Sequence, residues 1–133
     1  MLRRFRTLLP LLLPLLLPLA ACAPELPPEQ IAARKAEALA RSHGKGVGTI
    51  LAPIAGLDGA GKLGICGLIE TPVGPVRIVV NLAERSVRSG LAAVQGGYRR
   101  DLGEGRFCSD AARSRWEQQK KIDPVGLMAR LDS

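Results

Sequence analysis

Leu8 to Ala20 is an apolar run of 13 residues, interrupted by nothing but Pro10, Pro14 and Pro18 and preceded by Arg3, Arg4 and Arg6. A stretch of this kind has no place in a packed domain. A membrane-spanning helix needs about 20 apolar residues, and each proline removes a helix donor. The basic start, the short apolar tract and the small residues Ala20 and Ala21 predict that residues 1–21 are an export signal. The folded part of the chain therefore lies C-terminal to this segment, in an oxidising compartment.

Leu19-Ala20-Ala21-Cys22 places a leucine and two small residues directly before a cysteine. In this position the four residues resemble the lipobox of bacterial lipoproteins. The resemblance implies that Cys22 is alkylated by a diacylglycerol, that cleavage precedes it, and that its new amine is acylated. Two or more acyl chains anchor stably where one is marginal. Ala23 comes next, where an Asp would imply retention at the inner membrane, so the resemblance implies the periplasmic face of the outer membrane. Residues 22–28 read as a lipidated tether. With three prolines from Ala23 to Pro28, it is extended at about 3.1 Å per residue and holds the domain roughly 20 Å from its anchor.

The remaining residues, 29–133, are expected to form one small periplasmic domain. Its aromatic side chains are Tyr98, Phe107 and Trp116, so the core is thin and built on Val, Ile, Leu and Ala. Cys66 and Cys108 are an even pair in an exported chain, and a disulfide between them is the expected staple. Two buried thiols or one reactive cysteine are the alternatives.

"PPEQIAARKAEALARSHG" carries the punctuation of a helix: Pro28 and Glu29 in its first turn, Arg41 in its last, and Gly44 as a left-handed cap. Ile31, Ala32, Ala38 and Leu39 are its expected apolar stripe. "VGTILAPIAG" is an apolar run ending near Pro53. "KLGICGLIE" (62–70) and "VRIVVNL" (76–82) flank the "TPVGP" turn and predict a hairpin. Residues 86–94 add another strand before a "QGG" turn, and 106–108 pair back onto the sheet. "SDAARSRWEQQKKID" is a helix capped by Ser109, and Asp123-Pro124 restarts a short one through Leu131. The order predicts an α+β fold: an N-terminal helix, a small antiparallel sheet, a C-terminal helix and one disulfide. "ICGLIE" before a Pro/Gly turn also resembles small exported proteobacterial proteins, a likeness that implies no activity.

Several motifs suggest other chemistry. Gly56, Gly61 and Lys62 match a phosphate-binding loop, but Leu63 stands where a magnesium-ligating Ser or Thr belongs, and "GICGLIETP" is no helix. A glycine-rich turn between strands is the preferred reading. Small residues at Gly44, Gly48, Ala52, Gly56, Ala60 and Gly64 have the spacing of a helical zipper, interrupted by Pro53, Asp58 and Lys62. A Cys/His hydrolase would need His43 to meet Cys66 or Cys108, and pairing of the cysteines leaves it no thiolate. A lone histidine without clustered carboxylates leaves no metal site expected, and no cofactor is implied. The spacing of Glu70, Glu84 and Asp101 does not mark a glycosidase pair.

Losing Arg3, Arg4 and Arg6 leaves 16 Lys and Arg against 12 Asp and Glu, with the excess in residues 77–121. The expectation is a non-enzymatic, membrane-anchored accessory or interaction module of the envelope. The alternative is an envelope ligand binder with Arg85, Arg88, Arg99, Arg100 and Arg106 as candidate anion-binding residues. Lipopolysaccharide, anionic lipid or peptidoglycan would be its ligand. Nucleic acid is not expected outside the cytoplasm, and a basic domain is a poor match for a basic target such as lysozyme.

Overall fold

The computed structural model describes residues 26–91 and 101–132. Cys22, the leader and most of the tether lie outside the described residues. So do the "QGG" turn, Tyr98, Arg99 and Arg100.

Helix α1, Pro28–Ser42, begins with proline at its first position and Glu29 in its first turn. It ends as expected: Gly44 takes φ +67°, Gly44 N donates to Arg41 O at 3.0 Å, and Lys45 N donates to Ala40 O at 2.9 Å. That double closure is a Schellman motif. The buried face is Ala32, Ala33, Ala36, Leu39 and Ala40. Ala38, expected in the stripe, is exposed. At 100° per residue it lies well away from Ala32 and Ala36.

Four strands follow: β1 Ile50–Leu57, β2 Leu63–Thr71, β3 Gly74–Asn81 and β4 Ser86–Leu91. They form one antiparallel sheet in chain order. The β2–β3 hairpin turns between Thr71 and Gly74, where Gly74 adopts φ +109° and the Thr71 hydroxyl donates to Gly74 O at 2.6 Å. The apolar run does not stop at Pro53; β1 carries it through to Leu57. Proline is tolerated because β1 is an edge strand, and because its register shifts between Leu51 and Ile54 with Ala52 at φ +49°. These strands contain Ala52, Gly56 and Gly64, so the helical zipper spacing is not used.

The sheet has two unlike faces. One packs Ile50, Ile65, Ile69, Ile78 and Val80 against α1 and the C-terminal helices. The other carries Cys66 and Val79, with Leu102 and Phe107 packed on them. Residues 106–108 do not form the expected strand. They belong to a short helix, α2, Glu104–Cys108, entered through Gly103 at φ +85°. Both neighbours of β2 and β3 are already taken, so this segment lies across the sheet instead of joining it. It comes close because the sheet is bare there: a methyl at Gly64 would overlap the Phe107 ring, and one at Gly56 the Phe107 carbonyl.

Helix α3, Asp110–Ile122, starts at Ser109, whose hydroxyl accepts from Ala112 N at 3.2 Å. Trp116, 1% exposed, donates from its indole to Glu29 of α1 at 2.9 Å. Helix α4, Pro124–Asp132, is capped by Asp123, which accepts from Gly126 N at 2.9 Å. Arg115 of α3 donates to Leu57 O at 3.1 Å, covering part of the outer edge of β1.

Cys66 of β2 and Cys108 at the end of α2 form the expected disulfide, with Cα atoms 6.3 Å apart. Among the described residues no helix is long and apolar enough to cross a membrane.

Two outcomes test this packing. Cys66→Ser or Cys108→Ser should lower the unfolding free energy by about 4 kcal/mol, the chain-entropy value for a loop this long, measured by urea titration. Gly64→Ala should cost about 1–3 kcal/mol by overpacking. Combined with Phe107→Ala its effect should be less than additive, because both changes act on one contact. Full additivity would mean that the ring does not fill the glycine niche.

Candidate functional site

The polar side chains that matter gather where the β1–β2 and β3–β4 turns meet α2. Asp58 directly follows β1 and is 6% exposed. Its Oδ1 accepts from Ala60 N at 2.9 Å and Lys62 N at 2.8 Å, tying down the glycine-rich turn. Its Oδ2 accepts from Arg106 Nε at 2.8 Å. Arg106 also reaches Glu84 at 3.4 Å, and Lys62 Nζ pairs with Glu84 at 2.6 Å. Glu84 N donates to Asn81 Oδ1 at 3.0 Å.

This accounts for "GLDGAGKL". Asp58 to Lys62 is a turn between two strands, Gly61 at φ +80° makes the reversal, and Lys62 is spent on Glu84. Nothing here presents a helix N-terminus to a phosphate, since Leu63 begins β2.

Burial alone would push the Asp58 carboxyl up. The Lys62 amide, the Arg106 side chain and the Ala60 amide outweigh it and hold Asp58 below the usual carboxylate range. Arg106 is raised in turn, first by its hydrogen bond to Asp58. Its guanidinium also lies 4.9 Å from the centre of the Phe107 ring.

The arginines proposed from sequence are not one face. Arg77, counted in the basic segment, is buried: it donates to Leu91 O at 2.7 Å and pairs with Glu104 of α2. Arg85 lies beside Lys35, Leu39 and Arg130, on the side covered by α1 and α4. Arg88 and Arg106 come together across the other face, where Val79, Asn81, Arg88, Leu102, Arg106 and Phe107 line a cleft of about 170 Å³. Arg99 and Arg100 lie outside the described residues. In the sheet register Asn81 sits opposite Ser86 and Val79 opposite Arg88, so all four share this face.

Asn81 is 4% exposed, and its Nδ2 is the one buried side-chain nitrogen or oxygen without a hydrogen-bond partner among the described residues. Sequence reasoning passed over both Asn81 and Asp58. Asp58 had a usable signal, an aspartate followed by small turn residues, which favours an Asx turn. Asn81 had a weaker one, as the polar end of the every-second-residue row Arg77, Val79, Asn81.

His43, the residue a thiol hydrolase would need, is exposed at the C-cap of α1, while both described cysteines are joined to each other. Among the described residues no group of three His, Cys, Asp or Glu side chains could hold a metal ion. Comparison with protein-family models, curated proteins and solved structures finds no match to this chain.

Asp58 sets a pH signature. Its folded pKa is depressed, so its stabilisation is whole above the ordinary aspartate range near pH 4 and is lost as the pH falls through the lower folded value. Asp58→Asn should therefore flatten the acid side of the pH–stability curve. Asp58→Ala should cost about 2 kcal/mol at neutral pH, the usual magnitude for losing hydrogen bonds to a charged group. An unchanged acid limb in Asp58→Asn would show that other carboxylates govern it.

Proposed function

We propose that this chain is a small lipoprotein, anchored through Cys22 at the periplasmic face of the outer membrane, where its domain acts as a non-enzymatic accessory or interaction module. The observation that carries the reading is Leu19-Ala20-Ala21-Cys22 directly behind a basic start and a short apolar tract. The Cys66–Cys108 disulfide supports it twice. It suits an oxidising compartment, and it uses both sulfurs that a Cys/His hydrolase would have drawn on.

The anchor gives the chain its geometry. Pro28, the last tether residue, is already the first residue of α1, so the proline-rich link between the acyl chains and a rigid helix shortens to Ala23 through Pro27, roughly 15 Å at about 3.1 Å per residue. The module stays near one membrane face and meets partners there at raised effective concentration.

A second reading, an envelope ligand binder using a basic face, is favoured by the convergence of Arg88 and Arg106 on one cleft. Arg85 belongs to another surface and would not contribute to that cleft.

Intact-mass measurement on protein from membranes should give a chain beginning at Cys22 with added acyl mass, and Cys22→Ala should leave the precursor uncleaved. A soluble, unmodified product would remove the anchor and the location argued from it. Binding to anionic vesicles or lipopolysaccharide that weakens with added salt would favour the second reading; salt-insensitive or absent binding would retire it.

A further inference from the structure

We infer that the cleft floored by Asn81 binds an oxyanion, a carboxylate or phosphate group whose oxygen accepts from the Asn81 amide. The inference rests on the ligand-binding reading and narrows it from a charged surface to one site.

A buried amide nitrogen without a partner costs about 1–3 kcal/mol, and such groups in folded proteins call for an explanation. Here the other half of the same amide is in use, since Oδ1 accepts from Glu84 N at 3.0 Å. That bond orients the side chain and leaves Nδ2 as the end with nothing to bond. Asn81 lines the cleft, and the partner that its buried Nδ2 lacks is an acceptor.

The surroundings narrow its charge. Ser86, across the ladder from Asn81, offers an exposed hydroxyl. Arg88, one row along the same face, lines the cleft with its guanidinium unpaired among the described residues. Arg106 adds a second positive charge at the rim, although its hydrogen bonds are committed to Asp58 and Glu84. Glu84 is the one carboxylate in the lining, and Lys62 pairs with it at 2.6 Å. A cation would face two guanidiniums, and an apolar group would leave the amide unanswered. An oxyanion would receive a neutral donor from beneath and a charged one from the side, the arrangement that gives strong, charge-assisted hydrogen bonds.

The walls fit as well. Val79, Leu102 and Phe107 are each buried and limit water around the ligand, which strengthens polar contacts made there. A volume of about 170 Å³ admits the anionic group and a small part of what bears it. The ligand is then a terminal group of something larger, such as a lipid phosphate or a peptide carboxylate.

The test is a titration of the full chain as purified, in neutral detergent when lipidated. Inorganic phosphate and acetate are added separately at ionic strength fixed with sodium chloride. The readout is the side-chain nitrogen resonances of Asn81 and Arg88. Saturable shifts of both are expected, and the stronger of the two anions identifies a phosphate or a carboxylate source. Arg88→Gln should weaken binding at least tenfold, and Asn81→Asp should abolish it. Should Asn81→Asp not fold, Arg88→Gln, an exposed side chain, decides alone. Absence of saturation, equal shifts at Arg34, Arg41 and Arg113, or wild-type binding by Arg88→Gln would each overturn the inference. Salt-sensitive vesicle binding with a silent cleft would sink this site while leaving the broader basic-face reading standing.

Discussion

A helix of five residues has too few internal hydrogen bonds to keep its shape alone, since isolated helices shorter than about 12 residues are marginal in water. α2 exists because three unlike interactions hold it against the sheet. The disulfide fixes its last residue to β2, the Phe107 ring occupies the space left by Gly64, and Glu104 pairs with the buried Arg77. Each constrains a different degree of freedom: the bond sets the distance, the ring sets depth, and the ion pair sets rotation about the helix axis. Much else depends on that placement. Ser109, the cap that starts α3, is the next residue after Cys108. Arg106, which reaches Asp58 and Glu84, projects from the middle of the same helix.

The two faces of the sheet divide the work. The first is apolar and closed by alanines of α1, which let the helix approach the sheet, and by Trp116, Leu127 and Leu131 from the C-terminal helices. With few aromatic side chains available, stability comes from many small close contacts. The second face is glycine-paved and polar at its ends. Glycines there contribute little burial, and Arg77, Asp58 and Asn81 are costly to take out of water. Arg77 and Asp58 are compensated by partners inside the molecule. Asn81 is compensated on one side of its amide only, and that asymmetry distinguishes it from the structural polar groups around it.

Much of the backbone plan was legible in the chain because its signals are local. Pro28 and Gly44 bound α1, "TPVGP" bounds the hairpin, and Ser109 and Asp123 cap the last two helices. The departures were of another kind. Pro53 marks the end of a strand only if the strand is central, and position in a sheet is not a local property. Residues 106–108 have a strand-like composition, but β2 and β3 offer no free edge, so tertiary placement overrides propensity. The disulfide was inferred from compartment and parity. The cleft was not legible, because Val79, Asn81 and Arg88 meet Leu102 and Phe107 only after the sheet and α2 have closed. Counting arginines along residues 77–121 joined Arg77, Arg85 and Arg88, which the fold sends to a buried pair, one surface and another.

That division bears on how position and recognition relate in this molecule. The apolar face and α1 connect the domain to its tether, so an anchor at Cys22 would act through Pro28 on the rigid side of the sheet. The polar cleft lies on the opposite side, walled by α2. Two routes join the tether side to the cleft: the ladders from β2 to β4, and α3, which bonds to α1 through Trp116 and Glu29 and follows directly on α2. The anchor would determine where the cleft is held, while the side chains that line the cleft all come from β3, β4, the turn between them and the segment around α2, none of them from the tether or α1.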